Sequence, residues 1–300
     1  MDAMAQTLNE TVAPRKSAVS AYSALLKPRL TLLVLLTMWV GFYMAWHGPM
    51  NYALMLHAIF GTALVAGGAA ALNQLLEREH DAKMRRTATR PLPSGRLQPN
   101  AVLIYGGICS AAGLIWLSLA VNLLTAVIGA LTLVSYLFIY TPLKRVTWLN
   151  TAIGAIPGAL PPLMGWTAAR NDVSVEGWSL FAILFFWQLP HFFAIAWIYR
   201  EEYAKAGFVM LPVIDTNGER TSRQALSNML ALLAISLSPF RFQLVGKTYL
   251  VGALVLGVWF LFCAIQFSRR LDVASARKLF YASIIYLPLL LILMVMDKIK

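Results

Sequence analysis

Asn73, Glu77 and Asp81 recur every four residues, directly after a run from Leu54 to Leu72 that is almost wholly apolar. At about 100° per residue, positions i, i+4 and i+8 of a helix stay on one face with a drift of roughly 80°. Three oxygen ligands on one face at the hydrocarbon edge suit a hard divalent cation. Magnesium takes a few carboxylates together with phosphate oxygens and retained water rather than an all-protein cage. Arg85, Arg86 and Arg90 follow in the same segment and are suited to charge-assisted pairing with phosphate oxygens. Acids alone would repel a diphosphate; acids around Mg2+, with arginines beside them, would bind one. The plain alternative is a solvated helix end, with Glu77 and Asp81 in i,i+4 surface pairs worth only about a few tenths of a kcal/mol.

Two other segments favour the first reading. YTPLKR at 140–145 sets Tyr140 and Lys144 at i, i+4 and adds Arg145, so that a phenol and an ammonium can grip a leaving phosphate. WIYREEYAKAGFVMLPV at 197–213 supplies Glu201 and Glu202 as a second acidic site. Three segments that each close an apolar run thus bring phosphate- or metal-capable groups to one leaflet. Capping does not require such convergence.

The elements that must position these groups are transmembrane helices. Of 300 residues, 59% are hydrophobic and 13% charged, with a mean hydropathy of +0.66. A soluble domain carries about 25% charged residues. Nine apolar runs approach the roughly 20 residues a spanning helix needs: about 30–46, 54–76, 101–121, 123–140, 149–168, 178–199, 224–240, 248–267 and 279–296. The seventh is the weakest, because Pro239 and Arg241 interrupt its end. A barrel would show short alternating strands instead, so the fold class is all-α: a polytopic membrane protein of about nine transmembrane helices. Residues 25–300 read as one transmembrane domain behind a polar segment, 1–24. The fifth span contains Gly154, Pro157, Gly158, Pro161, Pro162 and Gly165 and is expected to be broken or kinked.

With nine spans the termini lie on opposite sides, and 20 of the 25 Lys and Arg residues fall on the N-terminal side. By the positive-inside rule that side, with the long loops 77–100 and 200–223, is cytoplasmic. The basic excess is then a topology signal, and nucleic acid is not a partner. Asp2 and Glu10 in an N-terminal stretch without a signal-peptide pattern point to the bacterial inner membrane. Cys109 and Cys263 lie in apolar runs without metal-ligand spacing and read as packing residues. His191 falls mid-span after Pro190. An intramembrane ionisable residue is a functional candidate; hydrogen bonding between helices is its alternative role.

These segments resemble the UbiA-type intramembrane prenyltransferases, and within them the haem-modifying branch. The similar stretches are KPR at 27–29, N-x3-E-x3-D with its KMRRT tail at 73–87, RPLPSG at 90–95, YTPLKR at 140–145, GAIPGALPPLMGW at 154–166, WQLPHFFAIAW at 187–197 and YREEYAKAGFVMLPV at 199–213. The resemblance implies nine helices around a central cavity open to lipid, with Mg2+ and farnesyl diphosphate under the cytoplasmic loops. It implies that Asn73, Glu77 and Asp81 hold Mg2+–diphosphate, that Tyr140 and Lys144 contact the diphosphate, and that Glu202 lies in the second acidic motif. It further implies farnesyl transfer to a vinyl group of haem b, giving a hydroxyethylfarnesyl side chain, with haem as substrate rather than resident cofactor and His191 in contact with it. Association with haem-modifying or oxidase-assembly proteins is a further expectation. Two departures stand out: Glu77 replaces the superfamily's aspartate, and Tyr199 and Tyr203 stand where other branches have aspartates. Rival readings are a prenyltransferase with an aromatic acceptor, a transporter of an anionic amphiphile, and a non-catalytic haem-handling subunit.

Overall fold

The computed structural model describes residues 18–299, so most of the polar 1–24 segment, with Asp2 and Glu10, lies outside the described residues, as does Lys300. Nine long helices dominate: α1 (Pro28–Ala45), α2 (Tyr52–Leu76), α3 (Pro99–Ala120), α4 (Leu123–Leu143), α5 (Asn150–Arg170), α6 (Val175–Ile198), α7 (Glu219–Ile235), α8 (Lys247–Arg270) and α9 (Val273–Met296). No strand appears among the described residues, only one isolated bridge, Val245 to Lys298. The starts follow local chemistry. Pro28 and Pro99 occupy first-turn positions, where a missing N–H costs nothing. Asn51, Asn122 and Asp272 cap α2, α4 and α9 by accepting from the N–H groups of Leu54, Thr125 and Ser275.

Seven of the nine are long and apolar enough to cross a membrane; α5 and α7 are not. α5 has no need to be apolar all round, because it packs between α1, α4 and α6 with most of its length buried. The expected break in it does not occur: α5 runs uninterrupted from Asn150 to Arg170 with Pro157, Pro161 and Pro162 inside it. Enclosure by neighbouring helices holds the chain helical where single hydrogen bonds are lost. α7 begins five residues before the expected 224 and ends at Ile235, followed by a short helix Ser238–Arg241. Its end is stabilised from outside, since the Tyr249 hydroxyl donates to the Ser236 carbonyl at 2.8 Å. α9 starts at Val273 rather than 279, with Arg277 and Lys278 exposed in its second turn.

Two large core clusters hold the bundle, with two small ones under the charged loops. One joins α1, α2, α3, α4 and α5; the larger joins α6 to α9 with parts of α1 and α5. α1 and α5 cross closely: a β-carbon at Gly41 would overlap the Pro162 carbonyl oxygen, and one at Gly165 would overlap the Met38 carbonyl oxygen. Large apolar side chains such as Leu103, Ile104, Ile108, Ile115 and Leu119 of α3 face outward. In water that surface would be a liability; against lipid it is the expected exterior.

On the face opposite the charged loops, the last residues close the ring. Lys298 Nζ donates to the carbonyls of Tyr43 and Trp46 at the end of α1, at 2.6 and 2.5 Å. The Tyr249 N–H donates to Asp297 Oδ2 at 2.7 Å at the start of α8. Replacing Lys298 by Met would strand two helix-end carbonyls and should lower stability by about 1–3 kcal/mol. Gly165→Leu, which forces α1 and α5 apart, should cost about the same or more. Thermal unfolding of the detergent-solubilised protein checks both; an unchanged midpoint in either variant contradicts the packing described.

Candidate active site

The acidic face is reached by a different local route from the one the spacing suggests. α2 ends at Leu76, Glu77 adopts φ −99° and ψ 2°, and a separate short helix runs from Arg78 to Asp81. The four-residue stagger survives the break: the Glu77 N–H donates to the Asn73 carbonyl at 3.0 Å and the Asp81 N–H to the Glu77 carbonyl at 2.8 Å. Asn73, Glu77 and Asp81 are therefore all buried together on the face that carries the charged loops, hereafter the basic face.

Each has a partner of opposite character. Lys144 Nζ donates to Glu77 Oε1 at 2.6 Å, and Arg90 Nη1 donates to Asp81 Oδ2 at 2.6 Å. The Asn73 amide accepts from Lys27 Nζ at 3.2 Å and donates to Thr141 Oγ1 at 3.0 Å. Burial alone would push the Glu77 carboxyl up, but Lys144, then Lys27 and Arg90, outweigh it and hold it below the usual carboxylate range. Burial likewise opposes the Lys144 ammonium, and the Tyr140 oxygen and Glu77 carboxylate more than compensate, so its pKa is raised. Among the described residues Lys27 pairs with no carboxylate. Burial and then the Arg90 guanidinium bring it down to about 7, because the opposing pull of Glu77 and Asp81 is weaker at its position.

Three loops are bolted together around this cluster. The Val209 N–H donates to the Lys144 carbonyl at 2.7 Å, and Asn150 Nδ2 donates to the Val209 carbonyl at 2.8 Å. His80 Nδ1 donates to the Ala206 carbonyl at 2.9 Å, a structural tie. Arg86 donates to the Tyr203 hydroxyl at 3.2 Å and lies over the rings of Tyr199 and Tyr203, 5.3 and 5.8 Å from their centroids. Within α4, residues Ser135–Tyr140 form a π-helix, and Thr141 Oγ1 donates to the Tyr136 carbonyl at 2.8 Å. Pro142, just beyond, has no N–H to offer the preceding turn. The widened turn delivers Tyr140 beneath Lys144, whose Nζ sits 4.5 Å from the Tyr140 ring centroid.

The other expected residues divide. Arg145 is exposed and donates to the Leu76 carbonyl at 3.3 Å, while Arg85 is exposed with no partner among the described residues. Glu201 does not join the cluster. It is exposed and lines a shallow surface pocket of ≈ 280 Å³ with Arg200, Pro212 and Thr216, because consecutive helical residues point about 100° apart. Glu202 turns inward, and its Oε2 is buried without a donor. His191 lies away from the charges, in α6, with Nδ1 2.7 Å from Ser283 Oγ of α9. Of the aromatic residues around it, Trp187, Phe193 and Trp197 are core packing, and Phe185, Phe186 and Phe192 are half-buried.

Among the described residues no three His, Cys, Asp or Glu side chains form a metal-type cluster. The donor set still fits a hard cation that brings phosphate oxygens with it. Within the cluster, Asp81 Oδ1 is a buried carboxylate oxygen without a donor among the described residues, an arrangement that is costly unless something positive arrives. Lys27 and Thr141 are the site residues the spacing arguments missed. Lys27 precedes Pro28, which disfavours right-handed helical backbone at this position, and it sits in left-handed backbone (φ 46°, ψ 62°) that side-chain-bearing residues rarely adopt.

Residues 34–287 match the profile of the UbiA prenyltransferase family. The chain is 48% identical to the protoheme IX farnesyltransferase of Solibacter usitatus over 92% of its length and 98% of the relative's. It is 42% identical to the protoheme IX farnesyltransferase of Koribacter versatilis, covering 98% and 99%. Among solved structures, one of a digeranylgeranylglyceryl phosphate synthase study superposes with a TM-score of 0.79 at 17% identity, covering 93% of this chain and 98% of that one. A UbiA homolog from Archaeoglobus fulgidus bound to GPP and Mg2+ superposes with a TM-score of 0.65 at 16% identity, covering 92% and 99%. Helices, buried charges and sequence agree on one assignment: the chain belongs to the UbiA prenyltransferase family.

Proposed function

We propose that this protein transfers the farnesyl group of farnesyl diphosphate to a vinyl group of haem b, giving the hydroxyethylfarnesyl derivative and releasing diphosphate. The observation that carries the chemistry is the buried pairing of Glu77 with Lys144 and Asp81 with Arg90 at the end of α2. The acceptor and the prenyl length rest on relatives 37–48% identical that are named protoheme IX farnesyltransferases. A UbiA homolog binds GPP and Mg2+, which supports a magnesium diphosphate as ligand here. The setting is the bacterial inner membrane, with the basic face cytoplasmic.

In the resting protein acids and bases neutralise one another. A magnesium diphosphate would draw each charge to a new partner: Asn73, Glu77 and Asp81, with Glu202 of the second acidic motif, would hold the metal, and Lys144, Arg90 and Lys27 would hold the phosphates. Bound Mg2+ supplies charge neutralisation of the leaving group. The barrier lies in breaking the allylic C–O bond, and the positive charges already fixed here stabilise the negative charge that develops on the departing diphosphate. Tyr140, its ring beneath Lys144, is placed to donate its hydroxyl proton in a hydrogen bond to that oxygen. The terminal vinyl carbon would bond to C1 as the C1–O bond to diphosphate breaks, and water would add to the cation left on the carbon next to the macrocycle, giving up one proton to the released diphosphate.

Glu77→Gln and Asp81→Asn should each lower transfer by about 10²-fold or more while the protein still inserts and purifies; near-normal turnover in either refutes the assignment. Chelation should stop the reaction, and added Mg2+ should restore it. Labelled farnesyl diphosphate offered with haem b or with a hydroxybenzoate identifies the acceptor: a labelled haem is expected, whereas a labelled benzoate, or transport without any product, contradicts the proposed function.

A further inference from the structure

Gln188 sits mid-span in α6 and is 5% exposed. Its amide crosses to α5: Nε2 donates to the Ala155 carbonyl at 3.3 Å, and to the Leu184 carbonyl of its own helix at 3.0 Å. Both partners are backbone carbonyls, which can only accept, so heavy atoms alone fix which end of the amide is nitrogen. The oxygen faces Gly158, where a β-carbon would overlap it. Among the described residues no donor reaches Gln188 Oε1.

A second acceptor lies beside it. In a helix the Gly158 carbonyl would receive the N–H of residue 162, or of residue 161 in a tighter turn. Both are prolines and have no N–H. A β-carbon lies about 3 Å from its own carbonyl oxygen, so the overlap at Gly158 puts the two oxygens no more than about 5 Å apart. One water can bridge that distance with its two hydrogens. Gly158 is exposed although Pro157 and Ala159 beside it are buried and α5 packs between α1, α4 and α6. The two acceptors therefore border open space wide enough for a water molecule. At this depth no bulk water compensates them, and a site with two convergent polar groups is the kind that retains one. A tie between α5 and α6 needs only the Nε2 bonds; it does not require the amide oxygen to meet an exposed glycine.

The depth fits the reaction. Gly154 and Gly158 lie on one face of α5, about 6 Å apart at 1.5 Å per residue, and Gly154 lies against the Tyr140 ring. The acceptor pair is thus one turn beneath the phenol that meets the departing diphosphate oxygen. Once C1 has bonded to the terminal vinyl carbon, the cation sits on the next carbon, two bonds of about 1.5 Å from C1. We propose that Gln188 Oε1 and the Gly158 carbonyl hold the water that hydrates this cation; this rests on the haem reading above. Its hydrogens point at the pair, which leaves a lone pair of its oxygen directed to the open side. That oxygen bonds to the cationic carbon; one proton passes to the released diphosphate and the other stays as the hydroxyl hydrogen. Without a held water the cation instead loses a proton from the neighbouring carbon to diphosphate, which leaves an alkene.

The test uses the full-length protein in nanodiscs with haem b, farnesyl diphosphate and Mg2+, and weighs the product by mass spectrometry. Wild type in 18O-labelled water should give the hydroxylated haem with the label in it. Gln188→Met keeps the length and removes the acceptor. It should raise the ratio of alkene product, one water lighter, to hydroxylated product by about 10-fold, the weight of one hydrogen bond. Gln188→Glu, whose carboxyl restores an oxygen, should bring the ratio back toward that of wild type. A helix tie alone would slow total transfer and leave the ratio as it is, so Gln188→Met with the wild-type ratio overturns the proposal. An experimental structure of wild type that shows ordered water checks it without any variant: a water bonded to both oxygens is expected, and an empty position overturns the proposal alone. Wild type that makes no farnesylated haem overturns the acceptor reading and the water site together.

Discussion

Two carboxylates buried where a helix leaves the hydrocarbon must be neutralised, and this requirement organises the whole basic face. Glu77 and Asp81 are almost fully shielded, and an unpaired carboxylate there would be strongly destabilising. Lys144 comes from the end of α4 and Arg90 from the loop after α2, so the two ion pairs fix where those segments run. The third cation, Lys27, reaches the cluster only through Asn73. A purely structural cluster would match every charge. Among the described residues this one leaves Lys27 without a carboxylate and Asp81 Oδ1 without a donor, a mismatch suited to a ligand that brings both a metal and phosphates.

The helices beneath are arranged so that this cluster stays fixed. Close approach of α1 and α5 depends on Gly41 and Gly165, which let backbone meet backbone. Gly154 of α5 lies against the Tyr140 ring and Gly158 against the Gln188 side chain, so small residues make room for large ones. The latch from Lys298 and Asp297 to α1 and α8 closes the far face. Charge is concentrated at the basic face, and a smaller set of polar ties from Lys298 and Asp297 holds the other.

Much of this could be read from residues. Apolar length located the nine helices, Asn and Asp caps and first-turn prolines marked several starts, and the basic loops marked the face that holds the buried charged cluster. Asn73, Glu77, Asp81 and Lys144 were legible because charge at the end of an apolar run has few roles. Other features were not. Three prolines in α5 read as a break because local rules do not see the neighbouring helices that enclose it. The π-helix at Ser135–Tyr140 has no period of its own, and Lys27 reaches the site through tertiary packing. Glu201 and Glu202 are adjacent in sequence and diverge in space, a distinction that needs the orientation of their short helix. Ser283 carried no signal at all until α9 was placed against α6.

Partner exchange is the central claim, and an experimental structure with farnesyl thiodiphosphate and Mg2+ bound tests it most directly. The expected result is that Lys144 and Arg90 have left Glu77 and Asp81 for phosphate oxygens, with both carboxylates facing the metal. Intact Lys144–Glu77 and Arg90–Asp81 bridges, with the ligand seated elsewhere, would contradict it.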